Sequence, residues 1–421
     1  MKNDEIPGFI RKNKEIKWMK GMNPAQILVG GFLGLIIASS LVLMLPISSK
    51  SGQVTPFIDA LFTATSAVCV TGLSVVNTSA YWSTFGKVVL ICCIQIGGLG
   101  FMSLVSMIYI LLGKRISLKN RLVMQEALNF DTTAGVVRFT KLIVKGTLFV
   151  EGVGAVLLAF AFVPQFGPVK GIAYAVFHSI SAFCNAGFDL IGDSSLTPYV
   201  GNGLVNFVIC TLIILSGLGF SVWVDTVKMF IHKRKAPKHY TWKQAIAKLG
   251  LHTKLVWVIT TILLVSGFVV IFILEYGNPA TLGALSFKEK IYAALFQTVS
   301  PRTAGFNTIP LGELTDTSKL FTMILMLIGG SPAGTAGGIK TVTVGVVLLC
   351  AYNTIKGNDE IVVFKRRIAF DVVSRALTII IVMFIGRLGP VTMAVALMVR
   401  KRDKDKQKVN IQYPEDKIMV G

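Results

Sequence analysis

The sequence predicts an all-α polytopic membrane protein built from repeated helix–re-entrant loop–helix units. Three observations lead there: a composition too apolar for a soluble chain, basic residues confined to alternate connections, and a glycine-centred motif recurring at a nearly fixed period. Hydrophobic residues make up 53% of the 421 residues and charged ones only 15%, with a mean hydropathy of +0.68. A surface facing water needs about a quarter of its residues charged, so this chain must place apolar side chains in lipid.

Residues 1–24 are polar and basic, and the apolar run 25–45 follows without a convincing cleavage site. That run reads as a retained transmembrane helix, not a signal peptide. Further runs of about 20 residues or more are 84–112, 142–163, 203–231, 253–275, 318–350 and 376–399. Three shorter semi-apolar stretches, 57–70, 171–184 and 289–301, each end at a glycine-containing turn. Non-helical backbone survives at membrane depth only inside protein or beside a water-filled cavity. These stretches therefore read as helices that enter the bilayer and return on the same side.

The net charge of +21 follows the same plan. Segments 1–24, 113–145, 226–254, 351–375 and 400–421 hold 33 of the 42 Lys and Arg residues, whereas 46–83, 164–202 and 276–319 hold one, one and four. Short cytoplasmic connections carry this excess of basic residues, which places both termini in the cytoplasm. The basic balance is thus a topology signal, and no nucleic-acid partner is expected, although Tyr240 and Trp242 lie near a basic cluster. His232, His239 and His252 in that region read as solvated side chains. The six cysteines lack paired metal-ligand spacing and read as small buried hydrophobes.

The repeats are SAVCVTGL (66–73), SAFCNAGF (181–188) and VSPRTAGF (299–306). Their glycines, Gly72, Gly187 and Gly305, are 115 and 118 residues apart, and aromatic anchors Phe62, Phe177 and Phe296 precede them. Downstream helices carry GGLGF (97–101), SGLGF (216–220) and GGSPAG (329–334), with GRLGP (386–390) as a fourth copy. Parallel copies of one unit can surround a single axis, giving a pseudo-fourfold pore. A dehydrated cation needs its water oxygens replaced by fixed dipoles, and rings of backbone carbonyls supply them. Glycine allows the close approach and the unusual backbone turns this requires. The filter candidates are Val70, Thr71 and Gly72; Asn185, Ala186 and Gly187; and Thr303, Ala304 and Gly305. They are the expected ligands of the transported ion, and no catalytic residue or organic cofactor is expected.

The segments follow: a cytoplasmic amino-terminal stretch 1–24; repeat 1 at 25–112 with pore loop 57–73; repeat 2 at 142–231 with pore loop 171–188; and repeat 3 at 253–350 with pore loop 289–306 and an intramembrane loop 329–341. A remnant of repeat 4 occupies 370–399, and a cytoplasmic tail 400–421. An alternating-access symporter is the competing reading, but that class usually shows inverted repeats. A membrane enzyme would need clustered titratable groups, and Glu151, Asp225 and Glu275 occur singly.

The stretches SPRTAGFN (300–307), TAGGIKT (335–341) and GRLGP carry a family resemblance across nearly the whole chain. The sequence resembles the membrane subunit of the Ktr potassium uptake system, within the Trk/Ktr/HKT superfamily. The resemblance implies potassium uptake across the plasma membrane, with sodium as an activating ion. It also implies a homodimer seated on a cytoplasmic ring of RCK-type nucleotide-binding subunits.

The stretch 329–341 places five glycines and Pro332 in 13 residues, and each glycine costs a helix about 1 kcal/mol and proline about 3. It reads as a flexible intramembrane loop below the filter, not a packing kink. The gate candidates are Gly329, Gly330, Ser331, Pro332, Ala333, Gly334, Thr335, Ala336, Gly337, Gly338 and Lys340. Arg387, a costly charge midway through 376–399, joins them by resemblance. Its competing role is as an ion-pair partner of Glu151, Asp225 or Glu275.

The fourth repeat is short. Gly98, Gly217 and Gly330 are spaced by 119 and 113 residues, but Gly330 and Arg387 by only 57, so about 58 residues are missing against the period. Independently, a single crossing by 376–399 would leave the basic run 400–408 outside, against the charge rule. Gly357 is flanked by Lys356, Asp359 and Glu360 and does not serve as a fourth filter glycine. Either a segment is absent from the sequence between roughly Ile381 and Val382, or the chain carries a genuine deletion that leaves its pore three-sided.

Overall fold

The structure is a computed structural model that describes residues 24–100, 121–122, 124–125, 135–192, 194–236, 241–356, 362–364, 366–368 and 372–379. Helices dominate them. α1 (Pro24–Met44) is followed by the short α2 (Phe57–Val68), a single turn α3 (Thr78–Tyr81) and α4 (Thr84–Leu99). The same order recurs in α5 (Val136–Phe166), the short α6 (Pro168–Phe183) and α7 (Gly203–Gly217), which continues into α8 (Phe220–Lys235) and α9 (Trp242–Ala247). It recurs again in α10 (Leu251–Glu275), the short α11 (Phe287–Val299), α12 (Asp316–Leu327) and α13 (Thr341–Ile355). A small antiparallel hairpin, Val362–Val363 with Arg366–Arg367, follows.

Local chemistry sets where the helices begin. Ser83 accepts from the Gly86 N–H at the start of α4, and Asn202 accepts from Leu204 and Val205 at the start of α7. Ser286 and Glu289 form a reciprocal capping box on α11, which satisfies two backbone donors that a helix start leaves free. Pro168, just after Gly167 with φ of +78°, lets α6 turn back tightly against α5.

α1, α5 and α10 are long and apolar enough to cross a membrane, and α7 with α8 would make a fourth crossing if counted as one bent span. Phe149, Phe160, Val156 and Ile262 project outward, as expected of helices whose outer face meets lipid. The predicted single span 203–231 is instead broken: α7 and α8 meet at 99°. The cause is local, because Gly219 takes φ of +88° at the junction. Gly100, at the same place in the first copy, takes φ of +80° where α4 stops. The glycine clusters are thus where inner helices end. The predicted span 318–350 likewise divides into α12 and α13.

Two further expectations are corrected. Cys69 and Cys92 are exposed, so only Cys93, Cys184 and Cys210 behave as buried hydrophobes, with Cys350 intermediate. His252 is buried, not solvated, because it sits at the start of α10 where Asp225 of α8 and Thr253 hydrogen-bond at 2.9 Å. His239 and Arg387 lie outside the described residues, as do most of 370–399 and all of 1–23 and 400–421.

Packing between units follows chain order. α4 of the first packs on α6 of the second, and α7 of the second packs on α11 of the third. Each inner helix thus supports the next unit's short helix, an arrangement that progresses around an axis.

Candidate ion pathway

The three short helices end in related turns. After α2, the N–H of Val70 donates to Ala67 at 3.3 Å and that of Thr71 to Ser66 at 2.8 Å; after α6, Asn185 donates to Ala182 at 3.1 Å and Ala186 to Ser181 at 2.8 Å. This pair of bonds is a Schellman cap, which places its C′ residue in the left-handed region. Val70 and Asn185 accordingly have φ of +56° and +57°. In the third copy, one residue shorter, Thr303 has φ of +73° while Ala304 donates to Ser300 at 2.9 Å. Two residues on, Gly72, Gly187 and Gly305 have φ of +79°, +71° and +89°. Each candidate filter triplet therefore has positive φ at its first and third residues. The glycines are not the helix caps; they lie two residues beyond.

That backbone stores strain. Left-handed conformation costs a non-glycine residue roughly 1–2 kcal/mol, and Val70 and Thr303 are β-branched, for which it is a genuine outlier. Such strain persists only where the surroundings impose it and clusters at functional sites. Here the surroundings are hydroxyl and imidazole clamps that sequence reasoning missed. Ser181 Oγ donates to the Phe188 carbonyl at 2.7 Å, and Ser300 Oγ donates to that of Phe306. His178 Nε2 accepts from the Leu190 N–H at 3.3 Å while its Nδ1 lies 2.7 Å from the Tyr174 carbonyl. The serines were legible, since each precedes its filter glycine by six residues, or five in the shorter third copy. Of the aromatic anchors, Phe177 and Phe296 are buried but Phe62 is exposed.

The structure brings the nine filter candidates together in order. A Cβ built on Gly72 would strike the Ala186 carbonyl oxygen, and one on Gly187 would lie 2.5 Å from the Ala304 carbonyl oxygen. A Cβ on Gly305 would meet only Gly187 Cα, at 3.6 Å, among the described residues. Exposure follows the same order. Asn185 and Ala186 of the middle loop are buried, whereas Cys69, Thr71 and Leu73 of the first and Gly305 of the third are exposed. Among the described residues, the cluster is closed between loops 1 and 2 and between 2 and 3, and open between 3 and 1.

The loop between α12 and α13 lies against this cluster. Its neck is closed by a parallel bridge between Ile328 and Ile339, with Gly329 N–H donating to Ile339 and Ile339 N–H to Leu327, both at 3.0 Å. Gly329 is required there, because a Cβ would overlap the Gly337 carbonyl oxygen. Ser331 N–H donates to Gly217 at 2.8 Å and Phe220 N–H to Ala333 at 2.9 Å, so the loop fills the 99° break between α7 and α8. The expectation of a flexible loop gives way to one tied at both ends and at its tip. Asn185 Nδ2 donates to Thr335 Oγ1 at 2.9 Å and to Ser216 Oγ at 3.0 Å, Thr335 Oγ1 donates to the Phe183 carbonyl at 3.0 Å, and Gly337 N–H donates to Thr303 Oγ1 at 3.1 Å. Filter loops 2 and 3 thus hold the loop directly. The Lys340 ammonium donates to the Ala336 carbonyl at 2.8 Å. Buried Arg302, not among the residues singled out in the sequence, donates to the Gly329 carbonyl at 3.3 Å.

The three acids weighed as partners of Arg387 are each held by neutral donors. Glu275 accepts from Thr281, Asn278 and Thr315, Asp225 from Thr253, and Glu151 from Gln95 Nε2 at 3.0 Å. Glu151 is buried in α5, and its own carbonyl accepts from Ser179 of α6 at 2.7 Å. The Glu151–Gln95 bond therefore links the outer helix of unit 2 to the inner helix of unit 1 behind filter loop 2. Glu151→Ala strands the Gln95 amide and opens a cavity, so it is expected to cost about 1–3 kcal/mol and lower the thermal unfolding midpoint in detergent. Glu151→Gln, of equal volume, is expected to leave that midpoint nearly unchanged.

The profile of a family described as "TrkH: Cation transport protein" matches residues 9–379. The chain belongs to the TrkH family of cation transport proteins. It is therefore a membrane transporter and not an enzyme. It is 36% identical over 467 residues to Ktr system potassium uptake protein B of Bacillus subtilis, covering 98% of this chain and 100% of that protein. It is 35% identical over 461 residues to potassium/sodium uptake protein NtpJ of Enterococcus hirae, covering 96% and 98%. Ktr system potassium uptake protein B of Vibrio alginolyticus is 38% identical over 387 residues, covering 92% of this chain and 81% of that one. The solved structure of the potassium transporter TrkH from Vibrio parahaemolyticus shares the fold, with a TM-score of 0.58 at 20% identity, covering 81% of this chain and 64% of that chain. An alignment of 467 positions exceeds the 421 residues available, so at least 46 positions of it have no residue in this chain.

Proposed function

We propose that this chain is the pore-forming membrane subunit of a potassium uptake system, passing potassium down its electrochemical gradient through the filter made by Val70–Gly72, Asn185–Gly187 and Thr303–Gly305. The observation that supports this reading is the order of the three filter glycines: Gly72 and Gly187 each sit against the backbone of the next strained triplet, and Gly305 against Gly187. Carbonyls of such triplets replace the water of a dehydrated cation without a fixed charge to trap it. The names of the B. subtilis, E. hirae and V. alginolyticus relatives support potassium as the ion. The loop 329–338, with Lys340 and Arg387, is the gate. Sodium acts as an activating ion, and the chain works as a homodimer on a cytoplasmic ring of RCK-type subunits in the plasma membrane, with both termini cytoplasmic. Expression in cells lacking their own potassium uptake tests the function. Growth at limiting potassium, with potassium accumulation that sodium does not match, is expected; no gain in accumulation over empty cells would refute it.

In this reading the open side between loops 3 and 1 belongs to a fourth pore loop. Two features support that: the repeat period short by about 58 residues, and the alignment positions without a residue here. Intact mass of the protein purified from its source is expected to exceed 45.6 kDa by ~6 kDa, the ordinary residue mass of that gap. A mass near 45.6 kDa would make the deletion real and leave the pore with an open side.

A further inference from the structure

The function just argued does not use a groove of about 660 Å³ enclosed by α8, α9, α10 and the 362–367 hairpin. Its walls are Phe230, Trp242, Ile246, Trp257, Val258 and Phe364, and the charged side chains lining it among the described residues are Lys243 and Lys254. Lys233 stands over the Trp242 ring at 5.8 Å, and the last turn of α8 adds Arg234 and Lys235. The segment 226–254 is one of the basic connections, so this end of α8 and α10 lies at the cytoplasmic membrane interface, where tryptophan rings favour headgroup depth.

Two features decide the occupant. The apolar wall does not stop at the groove: Val258 continues along α10 into Ile262, Val265 and Val269, all exposed and spaced by four, three and four residues. That stripe lies on one face of a helix long enough to cross the bilayer, so what fills the groove extends into the hydrocarbon. At the mouth, among the described residues, the cations meet no opposing carboxylate in the lining. Lys254 spends one N–H on the Ala247 carbonyl at 2.7 Å, which leaves two donors, and Lys243 is exposed. We propose that this groove is a binding site for one anionic phospholipid, its phosphate headgroup against Lys243 and Lys254 and an acyl chain along Trp257, Val258 and Ile262. A zwitterionic lipid would present its own cation to the same lysines, and a regulatory protein would have no use for the stripe below.

Native mass spectrometry of the whole chain, after exposure to mixed vesicles of equal phosphatidylglycerol and phosphatidylcholine, tests the site without reference to transport. The wild type is expected to retain one phosphatidylglycerol in preference to phosphatidylcholine. Lys243→Gln, an exposed change that leaves the fold intact, is expected to reduce that preference about five-fold, the contribution of one lysine near an anionic surface. Lys319→Gln, at the exposed ion pair with Asp316 (3.7 Å), is expected to leave it unchanged, as is added inorganic phosphate. Equal retention of the two lipids by the wild type, an unchanged preference in Lys243→Gln, or retention by the monomer that dimer formation abolishes would each overturn the proposal. The last would assign the groove to a second copy. Because the readout is lipid retention, it can fail while potassium uptake stands.

Discussion

Gly187→Ala is expected to abolish potassium-selective uptake while the chain still inserts and folds. The substitution adds one methyl group, but its Cβ would stand 2.5 Å from the Ala304 carbonyl oxygen. That is well inside ordinary contact, and the opposing atom is backbone, which cannot swing away. The φ of +71° adds roughly 1–2 kcal/mol of conformational cost for any L side chain, and overpacking typically adds 1–3. The cheapest relief is for the Thr303–Gly305 backbone to withdraw, which moves one side of the filter. Gly305 supplies the contrast. A Cβ there meets only Gly187 Cα at 3.6 Å among the described residues, although φ is +89°. In the 421-residue chain, Gly305→Ser is therefore expected to weaken the preference for potassium over sodium less than Gly187→Ser does. Ion competition in whole-cell uptake, normalised to the amount of membrane-inserted protein, checks both. Equal, wild-type selectivity in the two variants would remove these glycines from the filter.

The second large effect concerns the loop proposed as the gate. Thr335→Val keeps the shape of the side chain but removes the hydroxyl that accepts from Asn185 and donates to Phe183. Both partners belong to the second pore loop, so the variant frees the 329–338 loop from that side, while Gly337 N–H still donates to Thr303 and Gly329, Ser331 and Ile339 still hold its neck. Losing this half-buried pair of hydrogen bonds costs about 2 kcal/mol. If opening breaks the same bonds, the closed state loses that much relative to the open one. A two-state gate then shifts by about thirty-fold toward open. Basal ion leak through the purified chain alone is expected to rise accordingly, with the potassium-to-sodium ratio nearly unchanged. A leak equal to wild type would mean that opening leaves the Asn185–Thr335 contact in place.

Much of this was readable from residues alone. The spans at 24–44 and 251–275 are continuous apolar runs, and the short helices are bounded by glycine or proline and by capping residues such as Ser286 with Glu289. The filter triplets stood out because a spacing of 115 and 118 residues is rare by chance. What sequence reading missed has physical causes. The 99° break at Gly219 hides inside a hydrophobic run because hydropathy is blind to backbone handedness, and only the sign of φ at Gly100 and Gly219 reveals it. Loop 329–338 has the composition of a flexible segment, yet its backbone groups find partners in Gly217, Phe220 and Thr303. Contacts made across 34 residues, as to Thr303, or across more than 100, as to Gly217 and Phe220, leave no local signature. Arg302 escaped notice because it lies in a motif read for its glycine, and His178 because a single imidazole in an apolar helix has no period. Cys69 read as buried by type and Phe62 as an aromatic anchor, and both are exposed.

The central claim is that the three triplets form one filter preferring potassium. Its most direct test is ion flux into proteoliposomes holding the purified protein of verified intact mass, with tracer potassium competed by sodium or by unlabelled potassium. Unlabelled potassium is expected to suppress tracer entry at concentrations where sodium does not, and Gly187→Ala is expected to erase the difference. Equal competition by sodium and potassium in the wild type would contradict that claim.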